Sequence, residues 1–206
     1  MKDYLKIVNH YENCLDQHGD TFKGMDWPND EQAVLRYQVM LDIIRESGDC
    51  SLLDFGCGTA LMLGFMKKHQ QYAGIDYAGL DISAKSIALA TEKYQDTPFY
   101  CLDILDNDSD IPNFDYIIMN GVFTEKREME FEQMWDYFKT MISHIYPLAN
   151  KGVSFNVMSK AVDWERWDLF HLSTDLLIDF LTKEVTRDFI IRNDYGLYEY
   201  SVYLYK

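Results

Sequence analysis

The sequence predicts an α/β fold with a mostly parallel sheet covered on both faces. Three observations carry this. From residue 50 onward, short apolar runs alternate with stretches of helical periodicity, the pattern of βαβ units. The first run ends in a glycine turn, Gly56-Cys57-Gly58, as a buried strand feeding a helix does. The last two runs are joined by Asn193-Asp-Tyr-Gly196, which predicts an antiparallel C-terminal hairpin at one sheet edge.

The elements follow in order. Residues 1–17 read as a helix, with Tyr4, Leu5, Val8, Tyr11 and Leu15 at spacings of three and four. A loop rich in Gly, Asp and Pro leads to a second helix over 30–46, capped by Asn29 or Asp30 and ended by Ser47-Gly48. Residues 1–46 thus form an N-terminal helical cap, and residues 50–206 the core, in one domain. Strands are expected over 51–55, 77–81, 99–103, 114–120 and 152–158. Helices are expected over 60–70, 83–94 (with Ser83 as N-cap), 128–146 and 174–181. The hairpin strands span 185–192 and 198–205, the second with Tyr198, Tyr200, Val202 and Leu204 on one face.

Composition narrows the function. The 206 residues carry 19 basic and 34 acidic side chains, a formal net charge of −15. Such a surface disfavours nucleic acid and anionic membranes as partners. No apolar run of about 18 residues exists and the N-terminus is no signal peptide, so a cytoplasmic protein without a membrane span is expected. The four cysteines (Cys14, Cys50, Cys57, Cys101) show no CxxC spacing and no nearby histidine pair. Reduced cysteines and no metal site are expected.

The glycine loop points to a nucleotide-like ligand beyond the carboxyl ends of the strands. Gly56 and Gly58 let the chain turn sharply and a ligand approach the backbone. In a dinucleotide-binding GxGxxG the third glycine falls at position 61, which is Leu61. The loop also begins with an acid, Asp54, which repels a pyrophosphate and attracts a cationic ligand. Asp81, 23 residues beyond Gly58, stands where a carboxylate accepts both ribose hydroxyls, with Asp76 as a rival in the repeated YAGID/YAGLD. Asp103 ends the third strand and is placed to accept from an adenine amino group, beside the N–H of Ile104.

Three acids at successive strand ends, the first with a GxG loop, resemble the class I S-adenosylmethionine-dependent methyltransferases. The matching stretches are LDFGCGTA (53–60), GLDIS (79–83), CLDIL (101–105) and FDYIIMNGVF (114–123). The resemblance implies a Rossmann-like, doubly wound, seven-stranded sheet with a reversed last strand. It implies S-adenosyl-L-methionine as cofactor, held by Asp54, Gly56, Cys57, Gly58, Asp81, Ile82, Asp103, Ile104 and Asn120. The family's third glycine is here Ala60. HGDT (18–21), DWPN (26–29), Arg36-Tyr37 and the tail also resemble a small bacterial methyltransferase group often associated with surface-glycan and secondary-metabolite genes.

The expected reaction is methyl transfer to an oxygen or nitrogen of a small-molecule acceptor, such as a sugar or secondary metabolite. Two rivals stand beside it: a non-catalytic module binding the cofactor or its demethylated product, and a nicotinamide-dependent oxidoreductase. Arg36 is a candidate fork for the cofactor carboxylate, and Trp27 a candidate lid. His171 and Asp194 are the candidate catalytic bases, because both follow the fourth strand. Trp164 and Trp167, at spacing three, are candidates to line the acceptor pocket. A monomer or homodimer is expected.

Overall fold

The computed structural model describes residues 2–27, 29–45, 48–106 and 111–206. Among them, eight strands form one sheet: β1 (Cys50–Phe55), β2 (Ile75–Asp81), β3 (Phe99–Cys101), β4 (Phe114–Met119), β5 (Ala149–Ser159), β6 (His171–Leu172), β7 (Phe189–Arg192) and β8 (Glu199–Tyr205). The order is β3-β2-β1-β4-β5-β8-β7, with β6 pairing β5 off this path. The pairings from β3 through to β5 are parallel. β8 inserts antiparallel between β5 and β7. The expected doubly wound, mostly parallel sheet with a C-terminal hairpin is therefore present. The short β6, too brief to show periodicity, makes eight strands rather than seven.

The helices are α1 (Leu5–His18), α2 (Asp30–Leu41), α3 (Leu61–Met66), α4 (Ala84–Lys93), α5 (Phe131–Ile145) and α6 (Thr174–Phe180). Asn29, Ser83 and Ser173 cap α2, α4 and α6 through side-chain oxygens that accept backbone N–H groups. Glu130 and Gln133 form a capping box, so α5 starts at Phe131 rather than 128. α2 stops at Leu41, five residues short of the expected end; Glu46 and Ser47 lie outside the described residues. The apolar run at Val185 is no strand. Val185 closes a π turn, and the chain reverses through Thr186 before β7 begins at Phe189.

Alternation along the strands feeds two cores, one on each face. In β4, Ile117 and Met119 join one and Tyr116 and Ile118 the other. In β8, Tyr200, Val202 and Leu204 face the first core, and Tyr203 and Tyr205 the second. Tyr198, expected on the same face, lies before the strand and is exposed.

A buried ion pair joins α2 to the sheet. Arg36 and Glu199 are 7% and 2% exposed. Arg36 Nε donates to both Glu199 oxygens, at 3.0 and 2.9 Å, and Nη2 stands 2.7 Å from Oε2. Asn156 Nδ2 donates to Glu199 Oε1 at 3.0 Å, and Asn156 Oδ1 accepts the Gly121 N–H at 2.7 Å. One hydrogen-bonded chain thus links α2, β8, β5 and the loop after β4. Removing one partner of such a pair leaves a buried charge unbalanced. Glu199→Ala is therefore expected to cost about 3–5 kcal/mol in urea unfolding, and Glu199→Gln less, since its amide oxygen still accepts. A cost below about 1 kcal/mol for the alanine variant refutes this role.

Candidate active site

The carboxyl ends of β1, β2 and β4 open on a cavity of about 150 Å³. Asp54, Gly56, Cys57, Gly58, Asp81, Ile82, Asn120 and Trp27 all line it. Gly56 and Gly58 adopt φ of 76° and 53°, which side-chain-bearing residues rarely take. A Cβ on Gly58 would also stand 2.7 Å from Met25 Sδ. Ala60, standing for the family's third glycine, is left-handed too (φ 60°) and fully buried.

Asp81 closes the loop. Its Oδ2 accepts the Gly58 N–H and its Oδ1 the Ser83 N–H, both at 2.8 Å. Burial raises its pKa, against the pull of these bonds. Asp76, the rival, lies exposed near the far end of β2. Asp54 is 3% exposed and accepts from Tyr77 Oη at 2.7 Å. Burial pushes its pKa up to about 7, with Tyr77 opposing and Asp81 adding to the rise. Asn120 Oδ1 is buried without a hydrogen-bond partner, an atom that calls for a donor. Cys57 is buried, and burial raises its thiol pKa well above normal, so it is no nucleophile.

The cap covers this cavity. Tyr4, Ile7, Val8 and Tyr11 of the first helical segment line it, with Met25 and Trp27. Glu12 accepts from Ser83 Oγ at 2.6 Å, Asp20 from Thr59 Oγ1 at 2.5 Å and from Lys93 at 2.7 Å, and Asp16 pairs with Lys85. A Cβ on Gly121 would stand 3.0 Å from the Trp27 ring, so the indole lies against the loop after β4. Pro28 lies outside the described residues.

Five expectations need correction. Asp103 does not line the cavity. β3 ends at Cys101, two residues short, and Asp103 accepts from Lys2 Nζ (2.7 Å) and Tyr4 Oη (2.5 Å). Burial alone raises its pKa, and these donors outweigh it and hold it low. Ile104 is packed in the apolar core. Arg36 spends its fork on Glu199 and lies under Trp27, 4.5 Å from the ring centre; it lines a different cavity. His171 has both ring nitrogens bound to backbone: Nδ1 donates to Ser159 O at 2.6 Å, and Nε2 accepts the Arg166 N–H at 3.2 Å. It is held as a structural histidine. Asp194 is exposed, paired with Arg192 and in neither cavity.

A second cavity of about 370 Å³ adjoins the first and shares Tyr11, Met25 and Trp27 with it. Trp164 lines it and Trp167 does not; both are exposed, in irregular chain rather than on one helix side. Glu125 has no sequence signature. It lines this cavity at 6% exposure, and burial raises its pKa although Arg127 Nη1 stands 3.3 Å away. Only its fold position reveals it, since it lies in a loop without a motif.

Comparison with known proteins fits this geometry. A family model described as a methyltransferase domain matches residues 53–152, from the glycine loop into β5. A protein of Mycobacterium tuberculosis named as a methyltransferase is 21% identical over 169 residues, 80% of this chain and 98% of its own. Among solved structures, magnesium protoporphyrin IX methyltransferase from Synechocystis PCC 6803, with bound S-adenosylmethionine, superposes with a TM-score of 0.62 at 15% identity, covering 100% of this chain and 94% of that one. A plantazolicin methyltransferase (BpumL) in complex with a pentazolic desmethyl analogue and S-adenosylhomocysteine gives 0.61 at 16% identity, over 99% and 91%. At these identities the superpositions speak for the fold, and the matched domain carries the glycine loop and strand-end acids. The matched methyltransferase domain, the relative named as a methyltransferase and the methyltransferase structures of the same fold together support the class I S-adenosylmethionine-dependent methyltransferase family for this chain.

Proposed function

We propose that the first cavity holds S-adenosylmethionine and the second the acceptor, an oxygen- or nitrogen-bearing small molecule. One observation carries the cofactor assignment. The lining of the first cavity holds two aspartates and an unpartnered amide oxygen and, among the described residues, no Lys, Arg or His. This field suits an ammonium and a sulfonium and opposes a phosphate. Asp81 keeps lone pairs for the ribose hydroxyls beyond its two backbone bonds. Asn120 Oδ1 is the acceptor for the ligand ammonium. Bound there, the cofactor supplies an electrophilic methyl group. The chain's own residues align the acceptor and exclude water, with Trp27, Met25 and Tyr11 as the partition between the two cavities.

The acceptor's proton needs a base, and His171 is spoken for. Glu125 is the carboxylate of the second cavity with the raised pKa, the property that suits a general base. The names of the two structural neighbours, one for a porphyrin and one for plantazolicin, support an acceptor other than nucleic acid.

Three outcomes test this. Calorimetry is expected to show binding of S-adenosylmethionine and none of NADH, with Asp81→Ala losing about 1–3 kcal/mol; an unchanged affinity removes the ribose assignment. A cation beside Asp54 favours its ionised form, so binding releases a proton and affinity rises with pH through about 7. The same experiment in buffers of different ionisation heat reads that proton, and Asp54→Asn abolishes it. Once an acceptor is found, Glu125→Gln is expected to lower turnover by about 10²-fold or more with cofactor affinity intact. Binding without turnover on any acceptor favours the non-catalytic module.

A further inference from the structure

The cap brings together three metal-ligating groups that the methyl-transfer reading does not use. His10 and Cys14 are four residues apart on α1, so they share one face. Asp26 meets them from the turn after Lys23–Met25. His10 Nε2 lies 2.8 Å from Asp26 Oδ2 and 3.8 Å from Cys14 Sγ, and the three donor atoms all lie within 4.8 Å of one another. Asp26 holds this place from a left-handed backbone, φ 55°, with its N–H on Lys23 O at 3.0 Å. Aspartate takes that region more readily than most residues, because its short side chain bonds locally.

We propose that His10, Cys14 and Asp26 bind a divalent transition metal, zinc by preference, and leave a fourth position open. Imidazole, thiolate and carboxylate are all zinc ligands, and the thiolate selects against magnesium and calcium. Tetrahedral zinc bonds of about 2.0–2.3 Å place neighbouring ligand atoms about 3.4–3.6 Å apart. The two observed His10 separations, 2.8 and 3.8 Å, bracket that spacing, and Cys14 and Asp26 lie within 4.8 Å of each other, so side-chain shifts close the site. On binding, the His10–Asp26 hydrogen bond gives way to two metal bonds, and the Cys14 thiol gives its proton to solvent. Asp26 also lines the second cavity, so the open position lies at that cavity's rim. The ion ties α1 to the turn that carries Trp27. The site escapes a spacing search because its third ligand comes twelve residues after the second.

The test uses the full chain stripped with chelator, titrated with Zn²⁺ in a calorimeter, with Mg²⁺ as comparison and Co²⁺ as a spectroscopic probe. Expected are one zinc per chain, a rise in Tm, no response to Mg²⁺, and a cobalt–thiolate charge-transfer band. His10→Ala, Cys14→Ser and Asp26→Asn are each expected to weaken zinc binding at least about tenfold. Cys14→Ser also loses the cobalt band. Cys101→Ser, at an exposed cysteine elsewhere, leaves everything unchanged. Asp26 is exposed, so its Asn variant reads the site without disturbing the core. Absence of zinc binding, or zinc binding that survives all three substitutions, overturns the proposal.

Discussion

The first cavity depends on one carboxylate. Asp81, at the tip of β2, accepts the N–H groups of Gly58 and Ser83 on its two separate oxygens. Those donors belong to the glycine loop and to the entry of α4, and a partly buried backbone N–H left unpaired is costly. The bonds thereby set the separation between loop and helix, which is the width of the polar wall. Two positive-φ glycines make that loop path possible. Ala60 completes it in a conformation costing an L-residue about 1–2 kcal/mol. Strain of this kind persists only where packing over-determines the backbone, and Ala60 has no exposed surface through which to relax.

The second support is the chain from Gly121 through Asn156 and Glu199 to Arg36. It fixes α2 against β8, and with it the floor beneath Trp27. The cap's remaining ties differ in kind. Pairs such as Lys93–Asp20 and Lys85–Asp16 are partly or well exposed, and contacts of that sort contribute little each. Closure of α1 rests instead on apolar burial at Ile7 and Leu15. The covered cavity, about 150 Å³, is below the 300–1,000 Å³ typical of ligand clefts. On the proposed reading, an adenosyl ligand enters by displacing part of this cover, and weakly held ion pairs make that displacement inexpensive.

The sheet was legible because its physics is local. Period-two alternation in β4 and β8 assigns each side chain to a face, and glycines mark the end of β1. The place of Asp54, Gly58 and Asp81 at the strand ends was legible for the same reason: a strand end and its loop are contiguous in sequence. Arg36, Asp103 and His171 were misread because their partners are distant. Glu199 lies 163 residues from Arg36, and Lys2 lies 101 from Asp103. No periodicity announces which carboxylate a buried guanidinium will meet. His171 shows a different limit: a loop histidine looks free until β6 pairs with β5 and brings Ser159 O to its ring. Glu125 was invisible because its burial comes from the packing of elements far apart in the chain.

The two cavities differ in whether cations stand among their acids. In the first, two acids and, among the described residues, no cationic side chain line the cavity. In the second, Asp26, Glu125, Asp163 and Glu199 are set against Arg36 and Arg166, and Arg36 and Glu199 neutralise each other. Acids still outnumber cations there, but cations are interleaved with them, and Trp27, Trp164, Tyr198 and Leu169 add apolar contact surface. On the proposed reading, the cationic donor meets acids alone, and the acceptor meets acids and guanidinium groups together. A fold shared by many chemistries does not supply this difference; the side chains at the strand tips do.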